Sequence, residues 1–345
     1  MNVPRRIALL LLVALALVLG GCPKKDEVVV QTSAGKGLTA ADIDRDPLEL
    51  LPGGAVALVV VRAQQMFASP FGQKLLEIAK ARAPFPASAG FEPERDLQQL
   101  AIGAYSMSGA NLVAVATGTF NKDAIQQTAS GTAKTPLGLP VTASSYAGRT
   151  LYTSATVGFV VLTSHTALLG DETGIRRALD RIQEGRVSQQ MPDWFKKLLD
   201  TPNAAFAAGF DLRTHPVTDA MRQQLPFLEG MQTARMLGNF QPPGVNLAGT
   251  LTYGDEKGAK AGAANLLQLQ QTLQSWGPLM QLVGITQPVK QLQAEAHGKD
   301  AQFVVGLDGV AVAQLLDKAA SALGVPSQPN VIPATQNPGL GGTGK

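Results

Sequence analysis

The sequence predicts an α+β fold: two similar units, each a mainly antiparallel sheet with packed helices, behind a signal peptide and a flexible tether. Three observations predict it. Short β-branched runs, such as residues 55–62 and 303–307, alternate with stretches of helical period. The connections at Ala147-Gly148 and Gly298-Lys299 are too short for parallel crossovers, so the strands they join run antiparallel. The same order of elements also occurs twice.

The first unit spans 47–188 and the second 192–324, with a linker near 185–192. Each opens with a strand, at 55–62 and 204–212. Ser69-Pro70 predicts a helix through about Arg82, with Ser69 as N-cap. Thr214 and Pro216 predict the matching helix. A hairpin follows in each unit, its second strand starting at Gly109-Ala110-Asn111-Leu112 or Gly244-Val245-Asn246-Leu247. Asn121 and Asp255 then open helices. Each unit closes with a strand pair and a final helix. The last strands pair Phe159 with Phe303 by wording, and Asp308 caps the last helix. Two independent α+β segments are the alternative to a tandem repeat.

The N-terminus has its own pattern. Arg5 and Arg6 precede an unbroken apolar run at 7–19. That run is shorter than the roughly 20 residues of a membrane span and has the length of a signal-peptide core. Residues 19–22 read Leu-Gly-Gly-Cys, with cleavage expected between Gly21 and Cys22. The small glycines let a peptidase approach the backbone. This motif resembles the bacterial lipobox. The resemblance implies removal of 1–21, a lipid on the Cys22 thiol and an acylated new amine. Cys22 is the only cysteine, so no disulfide competes for it. Residues 22–46 then form the tether, about 24 residues that reach roughly 27 Å if flexible. The tail at 325–345 is rich in Pro, Gly, Asn and Thr and is expected to be disordered.

The body itself is similar to envelope proteins of unknown function that repeat a strand–helix–hairpin–helix–hairpin–helix unit behind a signal peptide. That resemblance implies no site residues.

Charge excludes one class of partner. The chain carries +3, but Arg5 and Arg6 leave with the signal peptide, and 29 basic residues become 27 against 26 acidic. So even a balance gives no electrostatic footprint for nucleic acid.

Catalytic and metal motifs are not found. His165, His215 and His297 sit at expected turns or a helix start, without the i, i+4 spacing of a zinc protease. No nucleophile elbow occurs. Ser33-Ala34-Gly35-Lys36 lies in the tether without the partner motifs of penicillin-binding proteins. Asp171, Asp255 and Asp308 stand where carboxylates cap helices, and Asp211 ends a strand. No cofactor is expected.

The distinctive features are apolar. Leu266, Leu269, Leu273 and Trp276 recur at helical spacing, with glutamines on the other side. Met221, Met231 and Met236 fall close together, and Met adapts to irregular apolar space. Either group serves as core or as a contact for a partner or lipid.

The function expected is a membrane-anchored, non-enzymatic structural or protein-interaction module. A carrier or sensor of an apolar ligand such as lipid is the second reading, and an enzyme with an unrecognised site the third. The expected partners are the membrane, through the lipid, and an envelope protein or lipid ligand. Pro23 follows Cys22, not the Asp that retains lipoproteins in the inner membrane of enteric bacteria. By that resemblance the outer membrane, facing the periplasm, is favoured, with surface exposure left open.

Overall fold

Thr39 opens the first helix of the body, α1 (Ala40–Arg45), through a capping box in which Thr39 and Asp42 satisfy each other's backbone amides. Ile43 on α1 is fully buried, and a 3₁₀ turn at Pro47–Leu50 sends Leu50 and Leu51 into the same core. The Leu38 amide is already bonded to the Ile182 carbonyl at 3.0 Å. The expected tether boundary at 46 is therefore too late, because capping and burial of Ile43 fix residues from 37 onward. The computed structural model describes residues 37–84, 86–106, 111–129, 133–186, 195, 200–201, 204–213, 215–275, 277, 284 and 286–322. The expected signal peptide, Gly21, Cys22, Trp276, the tail at 325–345 and most of the expected linker lie outside these residues.

Strand β1 (Ala57–Arg62) leads directly into α2 (Ala63–Phe67) and α3 (Gly72–Arg82). Ser69 does not cap α3. Its hydroxyl donates to the Met66 carbonyl at 2.6 Å and so finishes α2, while Phe71 stands at the α3 N-cap. A Cβ on Gly72 would lie 2.0 Å from the Phe67 carbonyl oxygen, so only glycine lets the two helices turn this tightly. A short α4 (Pro93–Asp96) precedes the hairpin of β2 (Leu97–Ala104) and β3 (Leu112–Gly118). Asn121 caps α5 (Lys122–Thr128), as expected. Then come β4 (Thr142–Tyr146), β5 (Arg149–Ser154), β6 (Val157–Val161), β7 (Thr166–Gly170) and α6 (Glu172–Glu184).

The second half runs β8 (Phe206–Asp211), α7 (Asp219–Gln224), β9 (Met231–Asn239), β10 (Gly244–Tyr253), α8 (Glu256–Ser275), β11 (Val289–His297), β12 (Asp300–Asp308) and α9 (Gly309–Ala322). Here too the helix start is corrected. Thr218, not Thr214 or Pro216, caps α7 by accepting from the Met221 amide. Thr214 lies outside the described residues.

All twelve strands belong to one sheet, ordered β11-β12-β10-β9-β8-β1-β2-β3-β7-β6-β5-β4, and every neighbour pair is antiparallel. The two expected units therefore share a sheet, joined where β1 pairs with β8. In each half the third strand is flanked by the last one, β3 by β7 and β10 by β12. That order shifts one expected match. Phe159 lies on β6 and Phe303 on β12, and β12 holds the place of β7. The first half carries an added hairpin, β4–β5, that the short wording match could not register.

One cross-strand row reads the burial of the sheet. Directly opposed residues run Val160, Leu168, Val115, Ala101, Val60, Ala207, Leu237, Ala248, Val304 and Gln293. Side chains opposed in this way share one side of the sheet. The first six are buried beneath α6, α1 and the 3₁₀ turn, Leu237 and Ala248 are half-buried, and Val304 is 44% exposed. On the opposite side, α8 covers Ala234, Leu251 and Ala301, while α5 packs near Phe159 and Val161. The side that carries this row is thus buried from β6 to β8 and opens toward β12 and β11, while β4 at the other edge is exposed.

Candidate functional site

The larger cleft lies at the ends of β5 and β6, where α5 and α6 approach from opposite sides, and encloses about 510 Å³. The turn at Ala147-Gly148 has positive φ at both residues, 49° and 71°, the geometry of a tight hairpin that matches strand twist. It delivers Arg149 as the first residue of β5. The Arg149 Nη1 donates to the Leu162 carbonyl at 3.1 Å, and burial lowers the guanidinium pKa. Arginine nevertheless stays charged at neutral pH. Lys122 and Gln126, four apart on α5, present to the same cleft, as does Gln183 on α6. Tyr152, Val161, Leu179 and Ile182 form a buried floor.

A second cleft of about 290 Å³ lies beside Asp211 and Arg213, with Gln232, Thr233, Arg235 and Thr252. Arg213 forms an ion pair with Asp211, whose carboxyl is held below the usual range, chiefly by that guanidinium.

The expected apolar contacts do not line either cleft. Leu266 is buried against Ala234, Leu251 and Tyr253, while Leu269 and Leu273 are half-buried further along α8. Met221 and Met231 pack against Val56, Leu212, Val217 and Leu228. Met236 is half-buried on β9, opposite Gly249. Leu266, Met221 and Met231 therefore serve packing, and the three methionines do not form one surface.

Most of the polar candidates are dispersed as well, although His215 lies near enough to Asp211 to aid Arg213 in holding its carboxyl below the usual range. Asp171, Asp255 and Asp308 cap α6, α8 and α9, accepting from Gly174, Gly258 and Ala311 at 2.8, 2.7 and 2.8 Å. The His165 ring nitrogen is 3.2 Å from the Gly118 carbonyl. His297 faces Glu295 at 3.4 Å on β11. In the sheet order, β7, which follows His165, and β11 are eight strand spacings apart, roughly 38 Å at the usual separation. His165 and His297 therefore cannot share a site. No group of three His, Cys, Asp or Glu residues suited to a metal occurs among the described residues.

Sequence reasoning missed the cleft because its residues are scattered from Gly37 to Gln183, in no compact motif. The available signal was Arg149 directly after a two-residue turn.

No family model matches the chain, and no curated protein matches it. Solved structures do. Crystal forms I and III of TP0453, a Treponema envelope protein, match at 10% identity over 79% of this chain and 97% of theirs, with TM-scores of 0.50 and 0.53. The likeness is one of fold. No described helix is long and apolar enough to cross a membrane.

Proposed function

We propose that this chain is an envelope lipoprotein, anchored through Cys22 at the outer membrane facing the periplasm, whose body is a non-enzymatic protein-interaction module. The Leu-Gly-Gly-Cys motif after an apolar run supports the anchor, and a fold shared with a Treponema envelope protein supports the setting. The observation that carries the module reading is the cross-strand row. Its side chains are core from β6 through β8, half-buried on β9 and β10, and exposed at Val304 on β12 and Gln293 on β11. Beside them Gln291, Glu295, His297 and Gln302 are exposed. Among the described residues, the outer strand β11 also pairs on one edge only, leaving backbone groups to receive another chain.

A photo-crosslinker at Gln293 or Gln302, in cells of the source bacterium, tests the reading. A discrete adduct with one envelope protein is expected, absent when the crosslinker is at Asp123 and weakened by Val304→Glu. Equal labelling from all three sites would overturn it.

A further inference from the structure

We propose that the cleft between α5 and α6 binds a small polar molecule through an oxyanion group, a carboxylate or a phosphate, held by Arg149 and Lys122. This site is separate from the open face of the second half and stands or falls without it.

The first argument is charge. Among the described residues, the cleft is lined by two cations and by no Asp or Glu. Several other arginines have carboxylate partners, among them Arg45 with Asp42, Arg95 with Asp96, Arg176 with Glu172, Arg213 with Asp211 and Arg222 with Asp219. Those arginines sit at the surface, where an ion pair contributes little. Arg149 is half-buried, and its hydrogen bond among the described residues goes to the Leu162 carbonyl alone. A partly desolvated guanidinium without a counter-charge is the costlier arrangement. An anion from solution removes that cost.

Geometry supplies the second argument. The bond from Nη1 to Leu162 orients the planar guanidinium and leaves Nε and Nη2 as donors. Their edge matches the two oxygens of a carboxylate or phosphate. Lys122 adds a mobile point charge from the neighbouring helix. Thr150, Gln126 and Gln183 offer neutral donors and acceptors for the rest of the ligand. A volume of about 510 Å³ exceeds what a bare ion needs and falls in the range of small-molecule sites.

The test is titration of the full mature chain with inorganic phosphate and with acetate, followed by amide NMR shifts, with glycerol as the neutral control. Saturable shifts at Arg149, Thr150 and Lys122 are expected with one or both anions and not with glycerol. The tighter of the two identifies the anionic group. Arg149→Gln should weaken the affinity at least tenfold, and Arg149→Lys less. Lys122→Ala, at an exposed helix start, should weaken it several-fold without altering the fold, so it carries the test if Arg149→Gln does not fold. Shifts that fail to saturate, or an affinity unchanged in Lys122→Ala and in any folded Arg149 variant, would overturn the proposal.

Discussion

The Tyr253 hydroxyl oxygen lies 2.0 Å from where a Cβ on Gly262 would stand, so helix α8 rests on β10 through a glycine and the end of a tyrosine ring. Tyr253 is 1% exposed, and its hydroxyl donates to the Phe227 carbonyl at 2.6 Å. The ring therefore cannot swing away cheaply. Glycine to alanine inside a helix ordinarily gains up to about 1 kcal/mol. Here overpacking, worth about 1–3 kcal/mol, wins. Gly262→Ala should lower the melting temperature. Tyr253→Phe should not rescue it, because the ring carbon Cζ is itself 2.2 Å from the place the new methyl would take.

Asp44 anchors α1 to the β6–β7 turn. Its Oδ1 accepts from the Thr163 hydroxyl at 2.6 Å and the Thr166 hydroxyl at 2.7 Å. Hydrogen bonds to a charged group contribute about 1.5–3 kcal/mol each, net of those exchanged with water. Asp44→Ala should loosen residues 37–51 selectively. Hydrogen exchange should quicken at α1 and at Thr166 while β8–β10 stay protected; uniform loss of protection would contradict a local anchor.

Asp308 caps the last helix. The Ala311 amide, aided by Lys290 at 3.3 Å, holds its carboxyl below the usual range, against a smaller opposing effect of burial. A carboxyl with a depressed folded pKa stabilises above its unfolded value near 4, and that stability is lost as pH falls through the folded value. Asp308→Ala should cost about 1 kcal/mol at pH 7. The gap in melting temperature between wild type and Asp308→Asn should shrink between pH 5 and pH 3. A gap that widens on acidification would reverse the assigned sign.

The proposed anchor has its own test. One acyl chain binds membranes marginally, whereas two or more hold firmly. Cys22→Ser should yield a soluble protein or an uncleaved precursor, read by fractionation and by the mass of the N-terminal peptide. A variant that still matures and sediments with membranes would remove the lipid from the proposed function.

Local signals were the ones legible in the sequence. The runs behind β1, β10 and β12, the caps at Asn121, Asp171, Asp255 and Asp308, and the turns at Ala147-Gly148 and Gly298-Lys299 all depend on a few neighbouring residues. Helix α1 was equally local, since Thr39 and Asp42 have the spacing of a capping box, but the charged stretch before it drew the tether too far. Ser69 misled because a hydroxyl that ends one helix looks like one that starts the next. What sequence order cannot carry is which strand lies beside which. The β1–β8 pairing, the added β4–β5 hairpin and the assembly of the cleft around Arg149 all depend on contacts between distant segments. Leu266 followed the helical period into the core, while the methionines were divided between two elements, Met221 on α7 and Met231 and Met236 on β9.

The place of β1 at the middle of the sheet also sets an order of events in time. Its side facing β2 can close early, but the other edge waits for β8, about 150 residues later in the chain. At a synthesis rate of roughly 5–20 residues per second, that wait is on the order of 10–30 seconds. Through it, the run Leu58-Val59-Val60-Val61 offers unpaired amides and carbonyls to any neighbour. An emerging first half is therefore a sticky intermediate, and a chain cut short before Ala204 should aggregate through this strand unless a chaperone holds it.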